Sequence, residues 1–247
     1  MQQYRPQGFT MLPPVVKNLL IINALFFLAM LVLNSSFNYD LVALFGLHYP
    51  RSHDFGVWQF ITYMFMHGSF QHILFNMFAL WMFGNTLENV WGGKRFLNYY
   101  LITGIGAALI QLLVAYIRIA ALRTGLSPEE IQIIYTEGYG VLQKGMNYQN
   151  EAMAAINIIV NTPTIGASGA VFGILLAFGM MFPNSLIYIY FAIPVKAKYF
   201  VMIYGAIELY SGIANSAGDD VAHFAHLGGM VFGFFLIQYW KKKGSLY

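Results

Sequence analysis

The chain contains no cysteine, which excludes disulfides, thiolate metal sites and cysteine nucleophiles. It is also poor in charge. Asp, Glu, Lys and Arg make up 9% of its 247 residues, against roughly a quarter in a soluble domain. Apolar residues fill the gap, with 58% hydrophobic and 17% aromatic. A water-soluble chain of this length still exposes much of its surface, so it has no means of hiding so large an apolar share. A bilayer accepts apolar side chains but requires every backbone group to pair internally, which selects helices. The composition therefore predicts an all-α membrane protein. The net charge of +3 is small and by itself says nothing about nucleic acid; no nucleic-acid partner is expected, because Lys241–Lys243 read as a stop-transfer and lipid-headgroup patch. No internal repeat or low-complexity linker is present, so residues 1–247 read as a single domain.

A transmembrane helix needs about 20 mostly apolar residues. Six stretches qualify, at about 15–33, 70–89, 96–117, 164–182, 195–213 and 222–240. The first reads as an anchor, because it is long, follows a polar leader and lacks a small-residue cleavage site. Six spans place both termini on one side, and the distribution of charge selects the side. With cytoplasmic termini, Arg5, Lys17, Lys94, Arg95, Lys196, Lys198, Lys241, Lys242 and Lys243 lie inside, nine of the thirteen basic residues. Eight of the ten acidic residues then lie outside. The expected location is the cell inner (plasma) membrane, multi-pass, with both termini cytoplasmic.

Three connections are long. Residues 34–69 are rich in aromatics and histidine and read as a first loop partly embedded in the membrane. Residues 119–163 hold Ser127-Pro128-Glu129-Glu130, a helix-start signature, and predict a helical extramembrane insert between spans 3 and 4. Residues 183–198 read as a hairpin or a broken helix.

Chemistry concentrates in three spans. Gly166-Ala167-Ser168-Gly169 opens the fourth, and Gly169 with Gly173 forms a small-residue face suited to close helix packing. Ser168 by itself reads as a packing residue. In the sixth span, His226 is an ionisable group in apolar surroundings, which marks a functional site by default. Gly229 and Gly233 continue its face. Packing the two glycine faces together would bring Ser168 to His226, and both lie near the outer ends of their spans. In the second span, His72 and Asn76 are four apart on one helical face near the same surface. Their plain reading is interhelical hydrogen bonding, but such donors also suit an oxyanion hole.

These residues resemble the rhomboid intramembrane serine proteases. The resemblance rests on the Gly-x-Ser-Gly start of the fourth span, Ala-His-Leu-Gly-Gly-x-x-x-Gly in the sixth and His-x-x-x-Asn in the second. It covers a core of about 58–240. It implies a six-transmembrane-helix bundle with Ser168 as nucleophile and His226 as general base. It also implies that His72, Asn76 and the backbone N–H of Ser168 bind the oxyanion. Gly166 matches a family glycine, and Phe172 the position of an aromatic ring that stacks on the catalytic imidazole. Glu88 resembles an acid that ties down the inner end of the second span. The implied partners are transmembrane protein substrates within the lipid bilayer, entering between the second and fifth spans. Two features depart from the pattern: Trp58-Gln59 stands where Trp-Arg is frequent, and the 119–163 insert is additional.

No acid neighbours His226 within its own span, so the reading is a Ser–His dyad. Glu208, in the fifth span, reads first as paired with another helix or the interface, and second as a third member reaching His226. A zinc site built on His223 and His226 lacks an evident third ligand, so neither metal nor cofactor is expected. His53 and His67 read as loop residues bonded at the interface, and Trp81, Trp91 and Trp240 as belt anchors. Two rival readings keep the same spans: a catalytically inactive binder of transmembrane helices, and a transporter, against which the absence of related halves counts.

Overall fold

The computed structural model describes residues 10–189, 192–214 and 221–244. Arg5, one of the residues that oriented the spans, lies outside them. The described chain is mostly helical. In order it forms α1 (Pro14–Phe37), α2 (Leu41–Phe45), α3 (Gln59–Thr62), α4 (Phe70–Ala79) and α5 (Asn85–Trp91). There follow α6 (Gly93–Leu122), α7 (Pro128–Gln143), α8 (Glu151–Asn161), α9 (Ser168–Met181), α10 (Ala197–Ala214) and α11 (His223–Lys242). Between α9 and α10, β1 (Leu186–Ile189) and β2 (Ile193–Lys196) pair as an antiparallel hairpin with Leu186 opposite Lys196. Of the two options for this connection, the chain adopts the hairpin.

Among the described residues, two helices are long and apolar enough by themselves to cross a membrane, Pro14–Phe37 and the stretch Gly93–Gly125. The second of the expected spans is interrupted: Leu80–Gly84 winds as a π-turn between α4 and α5. Polarity runs inside out. Ile21, Leu25, Leu28 and Leu31 of α1, and Met202, Ile203, Ile207, Tyr210 and Ile213 of α10, are exposed. Asn23, Asn76, Thr103, Glu208 and His226 are buried. Apolar side chains facing outward over so large an area are stable in lipid, not in water.

The core forms where α6, α9 and α11 pack together. Small residues permit this. A Cβ on Gly229 would collide with the backbone carbonyl of Gly169, so α9 and α11 touch backbone to backbone there. The other two glycines of the expected paired face do something else. A Cβ on Gly173 would strike Thr103, and one on Gly233 the Tyr99 hydroxyl. Both admit α6 rather than each other. Tyr99 then uses the space to donate a 2.8 Å hydrogen bond to the Gly173 carbonyl. A face of small residues announces a close neighbour without naming it, and here a third helix shares the seam.

The first helix is fixed at its start. Pro14 opens α1, and the next two amides, of Val15 and Val16, donate to the Glu88 carboxylate at 2.9 and 2.7 Å. A buried anion satisfies orphan amides at a helix N-terminus, where the dipole favours it. Beyond α6, the insert forms its own small core of Ile119, Ile134, Met153, Ile156 and Val160. Ser127 and Glu130 cap α7 reciprocally, as the motif predicts. Arg51 of the first loop lies over the Tyr135 ring, which ties the insert to that loop.

Candidate active site

The segment leading to Ser168 is pinned from the first loop. Leu47 and Thr164 exchange backbone hydrogen bonds of 2.9 Å each way, and the Gly166 amide donates to the Tyr63 carbonyl at 2.9 Å. The loop itself is knitted by buried Gln59. Its amide donates to the carbonyls of Leu44 and Asp54, and its oxygen accepts from the His48 amide. Where an arginine was expected from the family pattern, this neutral side chain serves the loop's own backbone. Gly166 then turns the chain at φ 118°, and α9 begins at Ser168 with no side chain capping it. The first amides of a helix have no intrahelical acceptor, so the N–H groups at this start are open to another oxygen.

Ser168 and His226 meet. The Oγ of Ser168 lies 2.8 Å from Nε2 of His226. The imidazole is buried and stacks on Phe172, with ring centroids 4.2 Å apart and planes 6° from parallel. Phe172 is four residues after Ser168, so one face of α9 carries both the hydroxyl and the ring that holds its partner. His72 approaches from α4. A Cβ on Gly166 would lie 2.6 Å from His72 Nε2 and 3.5 Å from Ser168 Oγ, so glycine leaves open the space between them. Asn76 is buried one turn further along α4, its Nδ2 donating to the His72 carbonyl at 3.0 Å. Among the described residues, Asn76 makes no direct hydrogen bond to Ser168.

No acid neighbours His226 within its own span, but packing brings one from another helix, and Glu208 is paired across helices as its first reading had it. Oε2 of Glu208 lies 2.8 Å from Nδ1 of His226 and 2.6 Å from Nδ1 of His223. The carboxylate comes from α10, fifteen residues before His223, so only packing between helices delivers it. The signal was present: an acid in an apolar span is a functional mark with an unknown partner. These three residues also present donor atoms within 4.8 Å of one another, which supplies the third ligand that a His223–His226 metal site lacked. A cation there would take Nδ1 of His226 and compete with the Glu208 hydrogen bond.

Two lesser expectations fail. His67 is a loop residue but not bonded at the interface; it is fully buried with its ring 4.9 Å from that of His72, and among the described residues neither ring nitrogen has a hydrogen-bond partner. Burial and the neighbouring His72 push its pKa down to about 4. Trp91 is no belt anchor either, being buried against Tyr99 and Trp240.

A serine hydroxyl bonded to a buried imidazole thus sits at one end of a bundle of apolar helices. The chain belongs to the rhomboid family: the family's Rhomboid domain matches residues 54–128 and 131–242. It is 29% identical over 220 residues to RHOMBOID-like protein 12, mitochondrial, of Arabidopsis thaliana, covering 87% of this chain and 55% of that one. It is 26% identical over 169 residues to Rhomboid protein 1, mitochondrial, of Saccharomyces cerevisiae, covering 68% and 38%. To the Rhomboid protease AarA of Providencia stuartii it is 26% identical over 187 residues, covering 71% and 53%. The matches thus span about half the length of these relatives, or less. The family is one of integral membrane proteins that act on membrane proteins within the bilayer.

Proposed function

We propose that this chain is an intramembrane serine endopeptidase that cuts transmembrane segments of other membrane proteins near the extracytoplasmic side. The observation that carries the reading is the 2.8 Å contact between Ser168 Oγ and His226 Nε2, half-buried between two apolar helices. Ser168 is the nucleophile. As its Oγ bonds to the substrate carbonyl carbon, its proton passes to His226 Nε2. The carbonyl oxygen becomes an oxyanion held by the Ser168 N–H, His72 and the second Nδ2 proton of Asn76. Collapse breaks the C–N bond, and the leaving amine takes the proton from Nε2. Water then attacks the acyl-enzyme by the same route and restores Ser168.

Residues 1–247 form one domain of six spans: α1, α4 with α5, α6, α9, α10 and α11. Both termini are cytoplasmic, with Lys241, Lys242 and Lys243 at the headgroups. The 119–163 insert is extracytoplasmic. α9 has 14 residues, about 21 Å of helix, shorter than a hydrocarbon core of about 30 Å. Its first residue therefore starts below the outer surface, within reach of water from that side. A transmembrane helix must unwind there to present a carbonyl, which small or helix-breaking residues at the cut site make easier.

The test is reconstitution with a labelled single-span substrate. The wild type cleaves it and Ser168→Ala does not. A Ser168→Ala protein that still cleaves overturns the mechanism. A wild type inert toward a broad panel, and unlabelled by a fluorophosphonate, overturns the protease reading in favour of a transmembrane-helix binder.

A further inference from the structure

We propose that Glu208 and His223 are positioning residues that set the tautomer and orientation of His226, so that one carboxylate oxygen governs the base through two imidazole contacts. The inference rests on the reading of Ser168 as nucleophile and His226 as base. A base that takes a proton at Nε2 must carry its own at Nδ1. Stacking on Phe172 fixes the plane of the imidazole but not which edge faces Ser168. Turning the ring over within that plane would lose the base without losing the stack. Contacts at both nitrogens remove the ambiguity: Nε2 faces Ser168 Oγ at 2.8 Å and Nδ1 faces Glu208 Oε2 at 2.8 Å. An ionised Glu208 accepts the Nδ1 proton and stabilises the imidazolium that forms during attack. That proton stays on Nδ1 throughout.

The carboxylate needs holding in turn. Glu208 is 4% exposed, on a helix whose Ile203, Ile207 and Tyr210 face outward. A buried carboxylate is costly unless bonded. His223 Nδ1 donates to the same Oε2 at 2.6 Å, and the His223 ring stands at 84° to that of His226, so the two donors reach the oxygen from different directions. His223 precedes His226 by three residues. One turn of α11 therefore carries both the base and the clamp on the group that orients it.

The test uses the full chain in detergent and in vesicles. In protein labelled with ¹⁵N-histidine, the wild type gives a strongly deshielded imidazole N–H proton. Glu208→Gln keeps an oxygen acceptor and retains the signal, shifted; Glu208→Leu loses it. Kinetics on a single-span substrate follow. Glu208→Leu lowers kcat about 100- to 1,000-fold with KM within about twofold of wild type, less than the ~10⁴ of a soluble triad because Phe172 still holds the ring plane. Glu208→Gln recovers about tenfold of that loss, and His223→Phe lowers kcat about tenfold. Fluorophosphonate labelling of Ser168 slows in the same order. Wild-type kcat in Glu208→Leu overturns the proposal, as does an equal loss in Glu208→Leu and Glu208→Gln at unchanged thermal stability. A wild type that neither labels nor cleaves overturns the protease reading instead, and the deshielded proton still reports the contact.

Discussion

Gly166 is held to glycine by two separate constraints, its φ of 118° and the His72 ring 2.6 Å from where a Cβ would stand. Gly166→Ala is expected to lower kcat at least 100-fold, since the methyl intrudes between His72 and Ser168 and the backbone becomes strained. Steady-state kinetics against a single-span substrate check it. In the proposed mechanism Asn76→Ala removes one donor to the oxyanion and is expected to cost about 3 kcal/mol in the transition state, a kcat loss of about 100-fold with little change in KM. Phe172→Tyr keeps the stacked ring and should stay within about threefold of wild type, whereas Phe172→Ala should not. At this scale the sequence was informative where the family resemblance assigned a position, as for Phe172, whose ring stacks on His226. It was least informative for Glu208. Its partners lie on another helix, and spacing along one chain segment says nothing about which helices become neighbours.

Elements decide what single residues leave open. α4, α9 and α11 each begin at the site, and α10 passes it with Glu208. The helices themselves were legible from apolar length, and the start of α7 from its capping motif. The π-turn at Leu80–Gly84 and the seam shared by α6 were not, because both follow from contacts with neighbours rather than from local pattern. His67, in the connection before α4, gives a pH test. Its folded pKa of about 4 lies below the ordinary 6.5, so between those values the unfolded chain binds a proton that the folded chain refuses. Its contribution to stability is therefore fully present above about 6.5 and declines as pH falls toward 4. The Tm of His67→Phe relative to wild type should rise by a few degrees between pH 7 and pH 4.5, measured by thermal scanning in detergent. In the insert, Ser127→Ala should cost about 1 kcal/mol in the local stability of α7. Hydrogen exchange reads this, and kcat should not change.

For the molecule as a whole, the distribution of polarity defines the working environment. Exposed apolar faces on α1 and α10 surround a small polar centre, which in the proposed function a substrate reaches from the lipid side. If the hydrolytic chemistry needs no cation, EDTA leaves turnover unchanged. A loss restored by zinc would instead place a metal on Glu208, His223 and His226. Glu88→Ala is expected to lower stability by about 2 kcal/mol, read as Tm, because it leaves a buried and a half-buried amide at the start of α1 without an acceptor.

That contact also orders events in time. Val15 and Val16 are synthesised more than seventy residues before Glu88. During synthesis α1 must therefore enter the membrane with its first amides facing water, and it gains its anion only after the second span has followed. α1 is thus locked at its start only by a later span, and that contact reaches backwards along the chain.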